Sequence, residues 1–167
     1  MEATFKPVGY VIVDLPDDVV RESYSGVEGY IEILPGYEPA LKGLEGFSHL
    51  IVVAYLHKVS EEQRRVLRIR PKRWVKLGIP EHEIPEVGAF ATDSPHRPNP
   101  IAITIVELLA VEGRRLKVKG LDLFNGTPVL DIKPYTFSRR IDNVKVPEWY
   151  RRLLERVKSL NPEVREL

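Results

Sequence analysis

His49-Leu-Ile-Val-Val-Ala-Tyr-Leu-His57 is the stretch of sequence that most strongly indicates the fold. It is almost continuously apolar but far too short to cross a membrane, which is typical of a β-strand covered on both faces. Ser60 follows closely, with Gln63 three positions later, and this spacing forms a capping-box pattern. The pattern predicts a short helix directly after the strand, which would end before Pro71.

Several shorter segments on either side of this strand also have strand character. They are residues 9–13, 30–34, 89–92, 101–109, 115–119, 121–124 and 129–132. The last two flank Asn125-Gly126, a dipeptide that favours a tight β-hairpin. The only long helical pattern covers residues 147–160, where apolar residues recur on one face. The chain is therefore predicted to be mostly β with a C-terminal helix, and the helices do not alternate with strands as a Rossmann fold requires.

Composition narrows the possible classes of protein. The chain has 167 residues, of which 43% are hydrophobic, so we expect one domain, or one domain with a short appendage. It contains no cysteine, which excludes disulfides and thiolate chemistry, and its four histidines lack metal-ligand spacing, so we expect no metal. The N-terminal residues do not resemble a signal peptide, and no apolar run approaches the roughly 18 residues of a membrane span. We therefore expect a cytoplasmic protein without membrane association.

The charges are unevenly distributed along the chain. Residues 14–38 carry seven acidic side chains and one basic one, whereas residues 64–76 carry seven basic side chains and no acidic one. Trp74 lies inside the basic segment. Basic side chains near an aromatic ring suit an RNA backbone with an unstacked base, although a solvated charged surface remains the alternative. The residues predicted to contact RNA phosphates are Arg68, Arg70 and Arg73.

The loop Ser94-Pro-His-Arg-Pro-Asn-Pro100 contains three prolines in seven residues. Each proline restricts its own backbone and that of the residue before it, so the loop is stiff. A stiff loop could direct Arg97 at a carboxylate or phosphate and Asn99 at a polar ligand group. The equally weighted alternative is a rigid turn whose polar groups bond to nearby backbone.

A second polar segment follows the predicted turn at Asn125-Gly126. Asp131 and Lys133 alternate with apolar residues, so they lie on the same face of a strand. They could form a surface ion pair or part of a polar pocket.

Several sequence blocks together resemble the TsaA-like family, also called the TrmO family. The blocks occur in order and span about residues 9–137; the most specific are Arg97-Pro-Asn-Pro-Ile101 and Gly126-Thr-Pro-Val-Leu-Asp-Ile-Lys-Pro-Tyr135. Further matches are Glu32-Ile33 through Tyr37, Leu41-Lys-Gly-Leu-Glu-Gly-Phe-Ser-His49 and Phe90-Ala-Thr92.

The resemblance implies an antiparallel β-barrel over residues 1–138, with the short helix after the longest predicted strand, and a C-terminal helical extension over 139–167. It implies a homodimer that binds S-adenosylmethionine. The implied reaction is methylation of N6 of threonylcarbamoyladenosine at tRNA position 37.

The resemblance also implies which residues form the site. The cofactor residues would be His57, Lys58, Ile103, Gly126, Thr127 and Pro128. The pocket or substrate residues would be Arg97, Asn99, Lys133 and Tyr135. Asp131 is the candidate catalytic residue, which would stabilise the sulfonium or take the proton from N6.

The chain departs from the family pattern at three positions expected near the cofactor. Asp93 stands where the family usually has arginine, Ala102 where it has glycine, and Asn125 where it has an acidic residue. These departures motivate an alternative, a paralogue that binds S-adenosylmethionine or RNA without methylating tRNA. A methyltransferase for another small substrate is the third hypothesis.

Overall fold

The computed structural model describes residues 1–162, which divide into two compact units. The barrel unit comprises Met1–Val59 and Pro100–Arg139, and the second unit comprises Ser60–Asn99 together with the C-terminal segment that starts at Arg140. The sequence prediction of a domain over residues 1–138 with a separate extension stays a prediction, because compact packing is not by itself a test of independent domains.

The strands are β1 Gly9–Ile12, β2 Val27–Ile33, β3 His49–Tyr55, β4 Arg68–Ile69, β5 Val87–Gly88, β6 Ile101–Glu112, β7 Arg115–Leu121 and β8 Pro128–Pro134. The α-helices are α1 Asp17–Glu22, α2 Glu61–Arg64, α3 Arg73–Lys76 and α4 Glu148–Leu160. Short 3₁₀ helices cover Pro35–Leu41, Glu81–Glu83, Ala89–Ala91 and Phe137–Arg139.

Six strands of the barrel unit form a closed antiparallel barrel in the order β1-β2-β7-β6-β3-β8. Alternate side chains point inward and fill the interior, among them Val11, Ile31, Leu50, Val106 and Leu116, all fully buried. Closure removes the exposed edges that an open sheet would present. The predicted mostly-β fold with a barrel core, a short helix after β3 and a C-terminal helix is confirmed, although the longest strand is the 12-residue β6.

Strand β3 is covered completely on one face only. Leu50, Val52 and Ala54 point into the barrel and are fully buried, whereas Ile51 and Val53 on the outer face are half-buried. The barrel interior accounts for the buried face, whereas the outer face is only partly covered. The expectation of a strand covered on both faces is therefore met only inside the barrel.

The predicted hairpin at Asn125-Gly126 is wrong. The strands on either side of the turn, β7 and β8, are not neighbours; β8 pairs with β1 and β3. The turn instead bonds to β1, because the Gly126 N–H donates to the Val11 carbonyl at 2.8 Å and the Val11 N–H donates to the Thr127 carbonyl at 3.0 Å. These long-range bonds separate the two strands.

Two other local predictions need correction. Residues 89–92 do not form a strand, because Ala89–Ala91 is a 3₁₀ turn whose Ala89 carbonyl accepts the Thr92 N–H at 3.3 Å. The capping box at Ser60 and Gln63 is present, but the helix it begins ends at Arg64. The next two N–H groups bond three residues back, which tightens and ends the helix.

The second unit has its own small core, formed by Trp74, Ile79, Ile84, Leu153 and Val157. Helix α4 supplies two of these residues from the apolar face that the sequence predicts. Trp74 is 1% exposed and its ring meets that of Tyr150 edge-on at 5.0 Å. The idea that Trp74 receives an unstacked base is therefore wrong, since the ring is used in packing.

Candidate functional site at the end of the barrel

The turn between β7 and β8 is built against the first strand of the barrel. Asn125 accepts a hydrogen bond from the Val13 N–H at 3.1 Å through its side-chain oxygen. Gly126 has φ +76°, a left-handed conformation that favours glycine. Thr127 is almost fully buried, and Pro128 begins β8. An aspartate could make the same bond as Asn125, so this departure from the family pattern preserves the turn and removes one negative charge.

An open cleft lies beside this turn at the end of the barrel. Its volume is about 450 Å³, and it is shallow and largely open to solvent. The lining residues are Val13, Asp14, Leu15, Pro16, Asp17, Lys58 and Asn125. Two carboxylates and one ammonium group therefore face a cleft that contains the predicted residue Lys58 and adjoins the predicted turn.

Lys58 is held at the cleft by charge and by an aromatic ring. Its Nζ lies 2.5 Å from Oδ2 of Asp17 and 5.3 Å from the centroid of Phe124. The guanidinium of Arg21 lies over the same ring, also at 5.3 Å. Arg21 and Lys58 thus both lie against Phe124, and Lys58 is also paired with Asp17, so that positive and negative groups lie side by side at the cleft. A ligand carrying both a carboxylate and a cation would suit such a cleft.

His57 is exposed directly before Lys58, with its N–H donating to the Tyr55 carbonyl at 2.9 Å. Partial burial of the ring, followed by the positive charge of Lys58, lowers the pKa of His57 below its ordinary value of 6.5, and Asp17 opposes this shift. The imidazole is therefore neutral at pH 7, when it can donate one hydrogen bond and accept another.

Three other predicted residues lie on the outer wall of the barrel. Val53 of β3 pairs with Ile103 of β6 on one side and with Asp131 of β8 on the other. Ile103 and Asp131 thus lie in one row, about 10 Å apart across β3. Asp131 bonds to Nζ of Lys133 at 2.5 Å and accepts the Ile132 N–H at 2.9 Å. The surface ion pair that the sequence left open is present, on the same wall as the exposed apolar side chain of Ile103.

Tyr135 lies at the other end of β3 from His57. Its N–H donates to the carbonyl of His49, the first residue of that strand. Six residues of strand separate His49 from Tyr55, a distance of about 20 Å. The structure therefore does not bring Tyr135 to the cleft within the barrel unit.

The remaining predicted residues belong to the second unit. Arg97 donates to the carbonyls of Thr92, Ser94 and Ala89 at 3.1, 3.5 and 3.4 Å, which is the rigid-turn arrangement that the sequence left open. Asn99 and Asp93 are exposed. Of the predicted phosphate contacts, Arg68 lies 4.0 Å from Glu86, Arg70 donates to the Ile84 carbonyl, and Arg73 lies over the Trp74 ring.

The sequence prediction missed four residues around the cleft: Asp14, Asp17, Arg21 and Phe124. In the sequence, the acidic run that begins at Asp14 stands out only by its charge. Its signal was position, because the run directly follows a strand and such loops carry many binding residues. No local pattern indicates that Phe124 meets Lys58 and Arg21, since these residues are far apart in the sequence.

None of the helices within residues 1–162 combines the length and the hydropathy of a transmembrane span. Over the same range, no three His, Asp or Glu side chains cluster in a way that could hold a metal ion.

Family comparison assigns residues 16–142 to the tRNA-methyltransferase O N-terminal domain. A probable S-adenosyl-L-methionine-binding protein of Archaeoglobus fulgidus is 48% identical over 68% of this chain and 27% of its own length. Another, of Methanothermobacter thermautotrophicus, is 39% identical over 81% of this chain and 91% of its own length. The human tRNA (adenine(37)-N6)-methyltransferase is 40% identical over 59% of this chain and 20% of its own length.

A solved structure shares the fold. The crystal structure of TrmO superposes with a TM-score of 0.65 and 30% identity, over 87% of this chain and 64% of that one. The chain thus spans about a quarter of the Archaeoglobus relative and under two thirds of the solved TrmO chain, but nearly all of the Methanothermobacter relative.

Proposed function

The chain belongs to the tRNA-methyltransferase O N-terminal domain family, and from this premise we propose that it is an S-adenosylmethionine-dependent methyltransferase. Its proposed substrate is N6 of threonylcarbamoyladenosine at position 37 of tRNA. The observation that carries the proposal is the cleft at the end of the barrel, where Lys58, Asn125 and the Asn125–Pro128 turn meet two carboxylates.

The charges of the cleft fit the cofactor. S-adenosylmethionine carries a carboxylate, an ammonium group and a sulfonium, and the cleft offers Lys58 to the first and the side chains of Asp14 and Asp17 to the cations. Backbone near Gly126 can approach a ligand closely, since nothing lies within 4 Å of where its Cβ would be. His57, Ile103, Thr127 and Pro128 complete the proposed cofactor residues, and of these Ile103 lies on the outer wall.

The reaction forms an N6–C bond and breaks a C–S bond, and the proton of N6 must leave. The bound cofactor supplies the electrophilic methyl group. Because the displacement is in-line, positioning of the acceptor provides much of the rate. Asp131 is the proposed base that takes the N6 proton on its carboxylate, with Lys133 paired to it and Ile103 in the same row across β3. Arg97, Asn99 and Tyr135 are proposed substrate or pocket residues.

Charge distribution supports RNA as the substrate. The barrel unit has ten basic and thirteen acidic residues, whereas the second unit has fifteen basic and eleven acidic residues. The excess positive charge of the second unit suits a phosphate backbone. Arg68 is a proposed phosphate contact whose side chain is 80% exposed, and Arg70 and Arg73, which are also exposed, are the other two. A tRNA substrate is in keeping with the cytoplasm as the predicted location.

A homodimer is proposed because the outer wall is apolar. Ile103 is 72% exposed and Ile105 is 51% exposed on β6, next to the half-buried outer face of β3. A contiguous exposed apolar patch is typical of an interaction surface. A second copy would cover the wall and bury these side chains.

The test is transfer of tritium from S-adenosylmethionine to tRNA that contains threonylcarbamoyladenosine but lacks the N6 methyl group. We expect label in that nucleoside and none in tRNA already methylated there. If the protein is folded and binds the cofactor but no tritium appears in the tRNA, the proposed reaction is rejected. Label in a different small acceptor would favour the third hypothesis.

The second candidate is a binding protein without methyltransferase activity, and Asp93 is the observation that favours it. Asp93 is exposed where the family pattern has arginine, so it would repel a ligand carboxylate rather than bind it. Under this reading Asp93→Arg raises the affinity for S-adenosylmethionine in titration calorimetry. An unchanged dissociation constant would exclude Asp93 as the cause of weak binding.

A further inference from the structure

The second unit displays one aromatic side chain that its core does not use. Phe90 is 84% exposed on the 3₁₀ turn Ala89–Ala91, and Leu67, whose carbonyl accepts the Ala89 N–H at 2.9 Å, is 64% exposed. An aromatic ring that is so exposed leaves its apolar surface in water at a cost. The Phe90 ring is thus available to a partner that offers another flat surface.

The turn that carries Phe90 is held rigidly. Three donors converge on the Ala89 carbonyl: the Thr92 N–H at 3.3 Å, the Thr92 hydroxyl at 3.1 Å and the Arg97 guanidinium at 3.4 Å. The same guanidinium also bonds to the Thr92 carbonyl. A ring on a braced turn loses little conformational freedom when it binds a ligand, which favours affinity.

The surroundings of Phe90 carry positive charge. Strand β4 pairs with β5, so that Arg68 lies opposite Gly88, two residues before Phe90. The side chain of Arg68 is 80% exposed and its contact with Glu86 is long, at 4.0 Å. Arg65 is also exposed. Glu86 and Asp93 are the acids nearest to Phe90 in sequence, and Glu61 is paired with Arg64 at 2.8 Å, so the exposed cations that the proposal uses are Arg65 and Arg68.

We propose that Phe90 is a stacking platform for an unpaired base of the substrate RNA, with Arg65 and Arg68 contacting the adjacent phosphates. The inference rests on the proposed function in that its ligand is the RNA of that reaction. An exposed ring beside exposed arginines is the arrangement used for single-stranded nucleic acid, where stacking is tolerant of sequence. Phe90 takes the part that the sequence suggested for Trp74.

The experiment measures equilibrium binding of a fluorescent RNA stem–loop and of a fully paired duplex to the full chain, without cofactor. Phe90→Ala should weaken binding of the stem–loop about tenfold and leave the duplex unchanged, because only the loop offers an unpaired base. Phe90→Trp should retain stem–loop binding. Phe137→Ala is the matched control, since Phe137 is 99% exposed in the barrel unit. Arg68→Gln should lower the slope of log affinity against log salt by about one.

Three results would overturn the proposal: no stem–loop binding by the native chain, equal losses for Phe90→Ala and Phe137→Ala, or a loss that affects the duplex as much as the loop. Sedimentation of Phe90→Ala and Phe137→Ala tests the alternative that a second copy of the chain covers Phe90. In that case Phe90→Ala, and not Phe137→Ala, would change the oligomeric state. Methyl transfer separates the two proposals. Normal transfer by Phe90→Ala with an unchanged KM for tRNA rejects the platform alone, whereas Phe90-dependent binding without any transfer rejects the proposed reaction alone.

Discussion

The cleft at the end of the barrel and the outer wall of β3, β6 and β8 both contain residues that the sequence indicates, but they are built differently. The cleft is polar, and hydrogen bonds and an ion pair fix Asn125 and Lys58 there. The wall carries the exposed apolar side chains Ile103 and Ile105 together with the pair Asp131–Lys133 and, at one end, Glu107. A polar, braced cleft suits a small charged ligand, whereas an exposed apolar wall suits a larger partner surface. We propose that the cofactor binds in the cleft and that the wall is the surface for association. Because the methyl carbon must contact N6, the acceptor must lie against the bound cofactor.

The largest expected effect separates catalysis on the wall from binding in the cleft. Asp131→Asn should lower kcat for methyl transfer about 100-fold or more, the usual contribution of a general base. The dissociation constant of S-adenosylmethionine should stay the same, because Asp131 does not line the cleft. Glu107→Gln is the control on β6. If Asp131→Asn weakens cofactor binding instead, the wall and the cleft form one site.

The second prediction concerns association through the wall. Ile103→Asp places a charge on the apolar strip and should weaken dimerisation about 30-fold or more, because a buried unpaired charge is costly. Sedimentation equilibrium measures the change. Phe137→Asp serves as control, since that residue is exposed in the barrel unit but lies outside the wall. A native chain that is monomeric at high concentration would contradict the proposed dimer.

The third prediction tests the cleft. Lys58→Met should weaken S-adenosylmethionine binding about tenfold, since it removes a charged hydrogen-bond donor. Thermal stability should change little, because the pair with Asp17 is solvent-exposed. Titration calorimetry measures the affinity for S-adenosylmethionine of Lys58→Met, in the cleft, and of Lys133→Met, on the outer wall. Equal losses of affinity would show that the cleft has no special role.

The smallest expected effect is a pH dependence at the cleft. The pKa of His57 lies below 6.5, so acidification through this lowered pKa adds a positive charge beside Lys58. Affinity for the cationic cofactor should fall a few-fold as protonation proceeds. Folded His57 also binds a proton less readily than His57 in the unfolded chain. Its small contribution to the free energy of unfolding is therefore fully present above pH 6.5 and is lost as the pH falls through the lowered pKa.

His57→Gln removes the titrating group and should flatten the affinity profile over that window. A profile that keeps its shape in this variant would assign the pH dependence to another residue.

The local features of this chain could be predicted from its sequence. Hydrophobic alternation identified β6 and the face of α4, and the spacing of Ser60 and Gln63 identified the capping box that begins α2. Each depends on residues within a few positions of one another, where steric and hydrogen-bonding preferences act directly. The resemblance added the barrel and the identity of the turn at Asn125–Pro128.

The arrangement of the candidate site depended on tertiary structure. Asn125 bonds to Val13, 112 positions away, and this contact replaces the local hairpin that the Asn-Gly dipeptide favours. Val53 brings Ile103 and Asp131 into one row only because β3 lies between β6 and β8. The charged neighbours of Trp74 in the sequence predict an exposed ring. In the structure the ring is buried and packs against Tyr150 of α4, more than 70 residues later in the chain. The sequence by itself determined which segments are strands and helices, and the closure of the barrel decided which of their side chains meet, because strand pairing joins residues that no local pattern connects.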